Sequence, residues 1–252
     1  MLGGIYKVSV LVLYLVIHCR GEDYCEKNLC FFGTTHIACQ PLNESFGDAC
    51  SKDASVVQIN QDDINTVLKA HNLVRQKWAS GKAKFPNKAC RMASVEWDED
   101  LAKLAELNAK GCIMKHDECH NTEKFRLSGQ NLFNAGFWQS NSKDMTMPTK
   151  DLFEIAVQMW AGEEKDVTAD NLKAYPENSP AVIGHLTVLI NEKSYAVGCA
   201  IVNYEAKEFN RYNMACNYAY TNVIGHSVYS VCPEAGSECP KGLSSQYPPL
   251  CA

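Results

Sequence analysis

The sequence predicts an α+β fold on three observations. Three windows carry apolar residues at helical spacing, three later runs are rich in β-branched and aromatic residues between short polar turns, and the chain holds 13 cysteines in 252 residues. Helices segregated from strands along the chain favour an antiparallel sheet over alternating βαβ units. The cysteines predict a disulfide-rich molecule.

Residues 1–21 have Lys7 as a positive leader, an apolar run from Val8 to Ile17, and Cys19-Arg20-Gly21 before Glu22. This is the pattern of a cleaved secretory signal, and the run is too short to span a bilayer. Cleavage after Gly21 would remove Cys19 and leave an even 12 cysteines, consistent with up to six disulfides in an extracellular compartment. Lys7 and Arg20 would leave as well, taking the formal charge from −5 to −7. That acidic balance excludes a phosphate backbone as the expected partner, so no nucleic acid is anticipated. Asn43-Glu44-Ser45 is an N-glycosylation sequon.

Four units are expected: the leader at 1–21, a cysteine-rich extension at 22–58, a main domain at 59–225 and a cysteine-containing tail at 226–252. The first extension, with Cys25, Cys30, Cys39 and Cys50, shows little periodicity and needs staples; closing a 15-residue loop stabilises by roughly 3 kcal/mol.

The first helix is expected from Asp62, with Ile64, Val67, Leu68, His71, Val74 and Trp78 on one stripe and Gly81 stopping it. His71 on that stripe reads as a packed structural residue. Asp98 caps a second helix whose inner face is Leu101, Leu104, Ala105 and Ala109. Cys112, His116, Cys119 and His120 follow at spacings that invite a zinc finger, but oxidised cysteines cannot serve as thiolate ligands, so only His116 is kept as a site candidate. His120 is assigned to the surface. After Ser128-Gly129-Gln130-Asn131 and a polar loop ending at Pro148, Thr149 is expected to cap a third helix. Its stripe is Leu152, Ile155, Ala156, Met159 and Trp160, and one further turn reaches Glu163. A carboxylate there needs a partner.

Residues 184–199, GHLTVLINEKSYAVGC, read as a strand, a polar turn and a second strand. Period-two alternation separates His185, Thr187 and Leu189 from Leu186, Val188 and Ile190. A strand over 195–204, a charged linker EAKEFNR and a strand over 212–218 complete the expected sheet, which Cys199 and Cys216 are placed to bridge. The tail carries Cys232, Cys239 and Cys251 among Pro, Gly and Ser.

These motifs together resemble the CAP superfamily of cysteine-rich secretory, antigen 5 and pathogenesis-related 1 proteins, and within it the insect antigen 5 branch. The resemblance rests on His71-Asn72-Leu73-Val74-Arg75, residues 112–121 with Gly129-Gln130-Asn131, Gly184-His185-Leu186-Thr187, and Cys216-Asn217-Tyr218. It implies a three-layer α-β-α sandwich. It also implies disulfides Cys25 with Cys39, Cys30 with Cys119, Cys50 with Cys112, and Cys199 with Cys216. The remaining four cysteines pair in three ways by sequence alone; Cys239 with Cys251 and Cys90 with Cys232 is the split adopted.

The family's two-histidine, two-acid cleft maps to His116, Gln130, Glu163 and His185. Gln130 replaces an acid found in much of the family, Asn191 a tryptophan and Val188 a glutamine. Two imidazoles, His116 and His185, would serve Zn²⁺ or Cu²⁺. The alternative is a hydrogen-bonded cluster that ties the third helix to the sheet. No G-x-S-x-G elbow, HExxH element or free nucleophilic cysteine is present. The expectation is therefore a secreted, monomeric, non-enzymatic antigen 5 protein that binds a small hydrophobic ligand (a lipid mediator or sterol) or a host immune protein, in the manner of salivary or venom allergens. The rivals are a metal-dependent redox or hydrolytic protein and a stapled scaffold with a vestigial cleft.

Overall fold

A computed structural model describes residues 24–25, 28–31, 33–39, 45–138 and 146–252. The expected leader, the Asn43 sequon and most of the loop before Pro148 lie outside the described residues. The elements are β1 (Ser55–Val56), α1 (Gln61–Ala79), β2 (Lys88–Ala89), β3 (Glu96–Trp97), α2 (Glu99–Ala109), β4 (Gly129–Trp138), α3 (Thr149–Ala161), α4 (Ala169–Lys173), α5 (Gly184–Leu189), β5 (Ala196–Ala206), β6 (Phe209–Tyr218) and β7 (Val231–Cys232). Single 3-10 turns occupy Ile37–Cys39 and Gly162–Lys165.

The helix starts follow from side chains that accept orphan amides. Asn60 accepts from Asp62 and Asp63 while Asp63 returns a bond to the Asn60 amide, closing a capping box at α1. Asp98 accepts from Asp100 and Leu101 at α2. Thr149 is not a cap: Pro148 holds that position without a side-chain bond, and Thr149 is the first helical residue of α3.

The main sheet runs β1-β5-β6-β4 and is antiparallel, with β3 added parallel to β5. Alternation along β5 sends Val197, Cys199 and Ile201 into the core shared with α1, α3 and α5, and Ala196, Ala200 and Val202 toward α2. Each fully buried Val or Ile contributes about 1.5–3 kcal/mol. The layers are therefore α2, sheet, and the α1/α3/α5 group, an α-β-α sandwich. Gly198 sets the spacing of the α2 layer, since a Cβ there would stand 2.2 Å from the Ala102 amide nitrogen. On β6, Asn213 and Asn217 donate to the Ala109 and Leu101 carbonyls, fastening α2 to the sheet.

One strand is added to those expected and two expected elements are corrected. Residues 129–138 form the edge strand β4, in register with β6 from Gly129↔Tyr218 to Trp138↔Phe209. The charged linker is almost entirely strand, with a two-residue turn at Lys207 and Glu208 where Lys207 adopts φ 58°. Most consequentially, residues 184–189 are a helix rather than a strand. The face of α3 also differs: Phe153 and Val157 are buried with Leu152, Ala156 and Trp160, whereas Met159 is 62% exposed.

Six disulfides join Cys25 to Cys39, Cys30 to Cys119, Cys50 to Cys112, Cys90 to Cys232, Cys199 to Cys216 and Cys239 to Cys251. The tail has no core of its own. Val228, Tyr229 and Leu250 are buried in the main core, and Cys251 meets the Met92 carbonyl.

Candidate functional site

At the β4 edge, α5, the loop after α2 and the segments at 179–183 and 221–224 enclose a cleft of about 540 Å³. Its lining brings together His116, Gln130 and His185, with His120 and Asn131 beside them. Glu163 stands behind His185.

Helix α5 owes its existence to tertiary capping. It has six residues and no side-chain cap from its own flank. Glu163, from the turn after α3, accepts the Leu186 amide at 2.9 Å through Oε2 and the His185 Nδ1–H at 2.6 Å through Oε1. A carboxylate at a helix N-terminus also complements the dipole. At the other end the wholly buried Arg75 guanidinium donates to the Leu189 and Asn191 carbonyls at 2.7 and 2.9 Å. Burial lowers Arg75 to about 9, with Glu192 and Tyr218 opposing the fall. The His185 ring is then held flat against the Trp160 indole, 6.3 Å between centroids and 7° apart in plane.

His116 is exposed, on a loop anchored by the Cys50–Cys112 and Cys30–Cys119 bridges. Its Nδ1 meets the Gln130 Oε1 at 2.8 Å. The amide nitrogen of Gln130 donates to Asp117 Oδ2 at 2.7 Å and Asn217 Oδ1 at 3.0 Å, which fixes the amide orientation and leaves Oε1 as the acceptor. Nδ1 of His116 therefore carries the proton, as does Nδ1 of His185 facing its carboxylate. In both rings Nε2 has no hydrogen-bond partner among the described residues and is an open lone pair.

The cleft holds two residues that sequence reading misplaced or missed. His120 is not a surface group: its side chain is 11% exposed, with Nδ1 2.6 Å from Asp117 Oδ1 and Nε2 3.2 Å from the Gly129 carbonyl. Asp117 collects His120, Gln130 and Asn108; burial raises its carboxyl, and these three hydrogen bonds hold it below its ordinary range. The signal available in sequence was only the Asp117-x-x-His120 spacing. His71 lies outside the cleft in the core, donating through Nδ1 to the Val67 carbonyl and accepting from the Tyr218 hydroxyl at Nε2. Asn131 donates to that hydroxyl and to the His185 carbonyl, linking α1, β6, β4 and α5 through buried polar atoms.

A Zn²⁺ or Cu²⁺ ion would take His116 and His185 through Nε2, with Gln130 and Glu163 as the outer partners that orient the rings. Both Glu163 oxygens are already committed, so it offers no third ligand. Among the described residues, the one group of three His, Cys, Asp or Glu ligand atoms within 4.8 Å is Cys90, Cys232 and Glu238, whose sulfurs are joined to each other. The donor set fits a two-imidazole hold, short of the three protein ligands usual for catalytic zinc.

The model of the Cysteine-rich secretory protein family, CAP, matches residues 68–218. The chain belongs to the CAP family. Venom allergen-1 of Aedes aegypti is 36% identical over 246 residues, 97% of this CAP chain and 93% of that protein. The Antigen 5 like allergen Cul n 1 of Culicoides nubeculosus is 34% identical over 217 residues, covering 81% and 94%. The crystal structure of NaASP2 with Zn²⁺ shares the CAP fold, with a TM-score of 0.63 at 24% identity over 81% of this chain and all of that one.

Proposed function

We propose that this CAP protein is secreted and acts by binding, not by catalysis, holding a small apolar ligand in the cleft. The observation that carries this reading is that one wall of the cleft is greasy while no hydrogen bond among the described residues aligns a hydroxyl or thiol on the His116 or His185 ring. Ala181, Val182, Ile183, Val188 and Ile224 line it, with Val182 and Ile224 66% and 59% exposed. A hydrolase would need a hydroxyl or thiol aligned on an imidazole. Ser128, a hydroxyl in the lining, instead has its one proton directed at the His120 carbonyl and Asn121 Oδ1, not at an imidazole, and all twelve described cysteines are in disulfides. A second apolar groove of about 350 Å³ between α1 and α3, lined by Ala70, Leu73, Val74, Val157 and Ala161, is a further place for an aliphatic chain.

The dipteran relatives named as venom allergen and antigen 5 support an extracellular role; the target in this proposal is a lipid mediator, a sterol or a host immune protein, and the working unit a monomer. Native mass spectrometry and organic extraction of the secreted protein test the ligand. A stoichiometric apolar adduct lost in Val182→Asp is the expected result. No adduct, and none taken up from micromolar lipid, would overturn the reading.

A second reading, a metal-dependent protein, is favoured by the paired Nε2 lone pairs alone. The bound ion would supply Lewis acidity there, while Glu163 and Gln130 keep both rings in the ligating tautomer. Elemental analysis after His116→Ala with His185→Ala decides it: stoichiometric zinc or copper lost on substitution supports the metal, and a metal-free wild type excludes it.

A further inference from the structure

We infer that the cleft selects ligands by a hydrogen-bond-donating, cationic head, and so takes an amphipathic amine in preference to a carboxylate or neutral apolar molecule. This rests on the binding reading above and adds the head-group chemistry.

The first ground is the tautomers. Gln130 Oε1 and Glu163 Oε1 each fix a proton on Nδ1 of a cleft imidazole, so His116 and His185 present acceptors, not donors, to whatever occupies the space they line. The second is that side-chain amide donors in the lining are spent inside the protein. Gln130 gives its protons to Asp117 and Asn217, Asn131 serves the His185 carbonyl, and Asn222 donates to the Gly184 carbonyl. The third is charge. Among the described residues, no lysine or arginine lines the cleft. His120 is paired with Asp117, and the Glu163 carboxylate already occupies the N-terminus of α5, where an anionic ligand would otherwise find amides. An anion entering here would find only the hydroxyls of Tyr175, Ser179 and Thr221 to donate to it, against two imidazole lone pairs and a second negative charge; an ammonium group meets acceptors in a locally negative field.

The remaining wall supplies the body of the ligand. Val182, Val188 and Ile224 offer apolar surface and Tyr175 an aromatic ring, the partners of an aryl or alkyl chain two or three bonds from the nitrogen. The volume of about 540 Å³ accommodates a molecule of that size.

Calorimetric titration of the chelator-treated full-length secreted protein with tryptamine and with indole-3-propionate, matched in body and opposite in head charge, tests the inference. Tryptamine is expected to bind at least about tenfold more tightly. His116→Ala, at an exposed loop position, and Val182→Asp, at an exposed wall position, test the site without touching the core. The first is expected to weaken tryptamine by about tenfold, by loss of an acceptor. The second is expected to weaken indole-3-propionate and to abolish the uptake of neutral indole. If the carboxylate binds as tightly as the amine, or if tryptamine ignores His116→Ala, the head-group inference falls while the binding reading stands. If no probe, charged or neutral, binds at millimolar concentration, both fall.

Discussion

The single most informative residue is Glu163, because one carboxylate makes a helix, a tautomer and a boundary of the cleft. It is 12% exposed at the side chain, and its two oxygens serve different partners. Glu163→Gln keeps the shape but loses the charge and one acceptor. It is expected to cost about 1–3 kcal/mol in urea unfolding, the scale of a charged hydrogen bond left unmade. His71 makes a sharper claim about pH. Burial lowers it to about 4 from 6.5, with the Val67 bond opposing and Arg75 adding to the fall. The unfolded chain therefore binds this proton more readily than the folded one. The stability carried by neutral His71 is complete above 6.5 and is lost as pH falls toward 4, worth roughly 3 kcal/mol across that window. Denaturant melts from pH 7 to 4 should show this loss. His71→Gln should be less stable at pH 7 and flatter through the window; an unchanged slope would refute the assignment.

At the scale of elements, α5 shows where sequence reading fails and why. Its residues alternate as a strand does, and a helix buried on nearly every side leaves no amphipathic period to detect, since Leu186, Thr187, Val188 and Leu189 are all buried. What makes it helical is Glu163, 23 positions from Leu186, and Arg75, 114 from Leu189, and no local window contains either. The expected strands over 195–204 and 212–218 were legible because they alternate between two unlike cores. The edge strand β4 was not, because Gly129, Gln130, Asn131, Leu132 and Phe133 are all buried and show no alternation in polarity. Within the candidate site, Glu163 and His185 were flagged from chemistry before geometry, whereas Asp117 was invisible because its role depends on folding back onto Gln130. Arg75→Met is expected to destabilise by about 3–5 kcal/mol, since the carbonyls at the end of α5 would be stranded. Loss of the α5 contribution to the cleft should accompany it. Lys207→Gly addresses the opposite case, an exposed left-handed residue in the β5–β6 turn; up to about 1 kcal/mol of stabilisation is expected in thermal unfolding.

For the molecule as a whole, a three-layer sandwich is held in register by bridges at its periphery. Cys30–Cys119 and Cys50–Cys112 tie the amino-terminal segment to the loop that carries His116, and Cys90–Cys232 ties the tail beside β2. The cysteine count announced the bridging, and of the three pairings open to the last four cysteines the structure has the one adopted, Cys90 with Cys232 and Cys239 with Cys251. Replacing Cys50 and Cys112 by Ala is expected to cost about 2–5 kcal/mol and to loosen the His116 loop ahead of the sheet, which hydrogen exchange would register as early opening of 112–121 with β5 and β6 still protected.

All of these scales converge on two imidazoles held as hydrogen-bond acceptors over an apolar wall. Nitrogen-15 NMR of the histidine rings at about pH 8 reads that state without any ligand. His116 and His185 are both expected to carry their proton on Nδ1 and show a bare Nε2, and Glu163→Gln to disturb His185 alone. A proton on Nε2 of either ring in the wild-type protein would contradict this assignment.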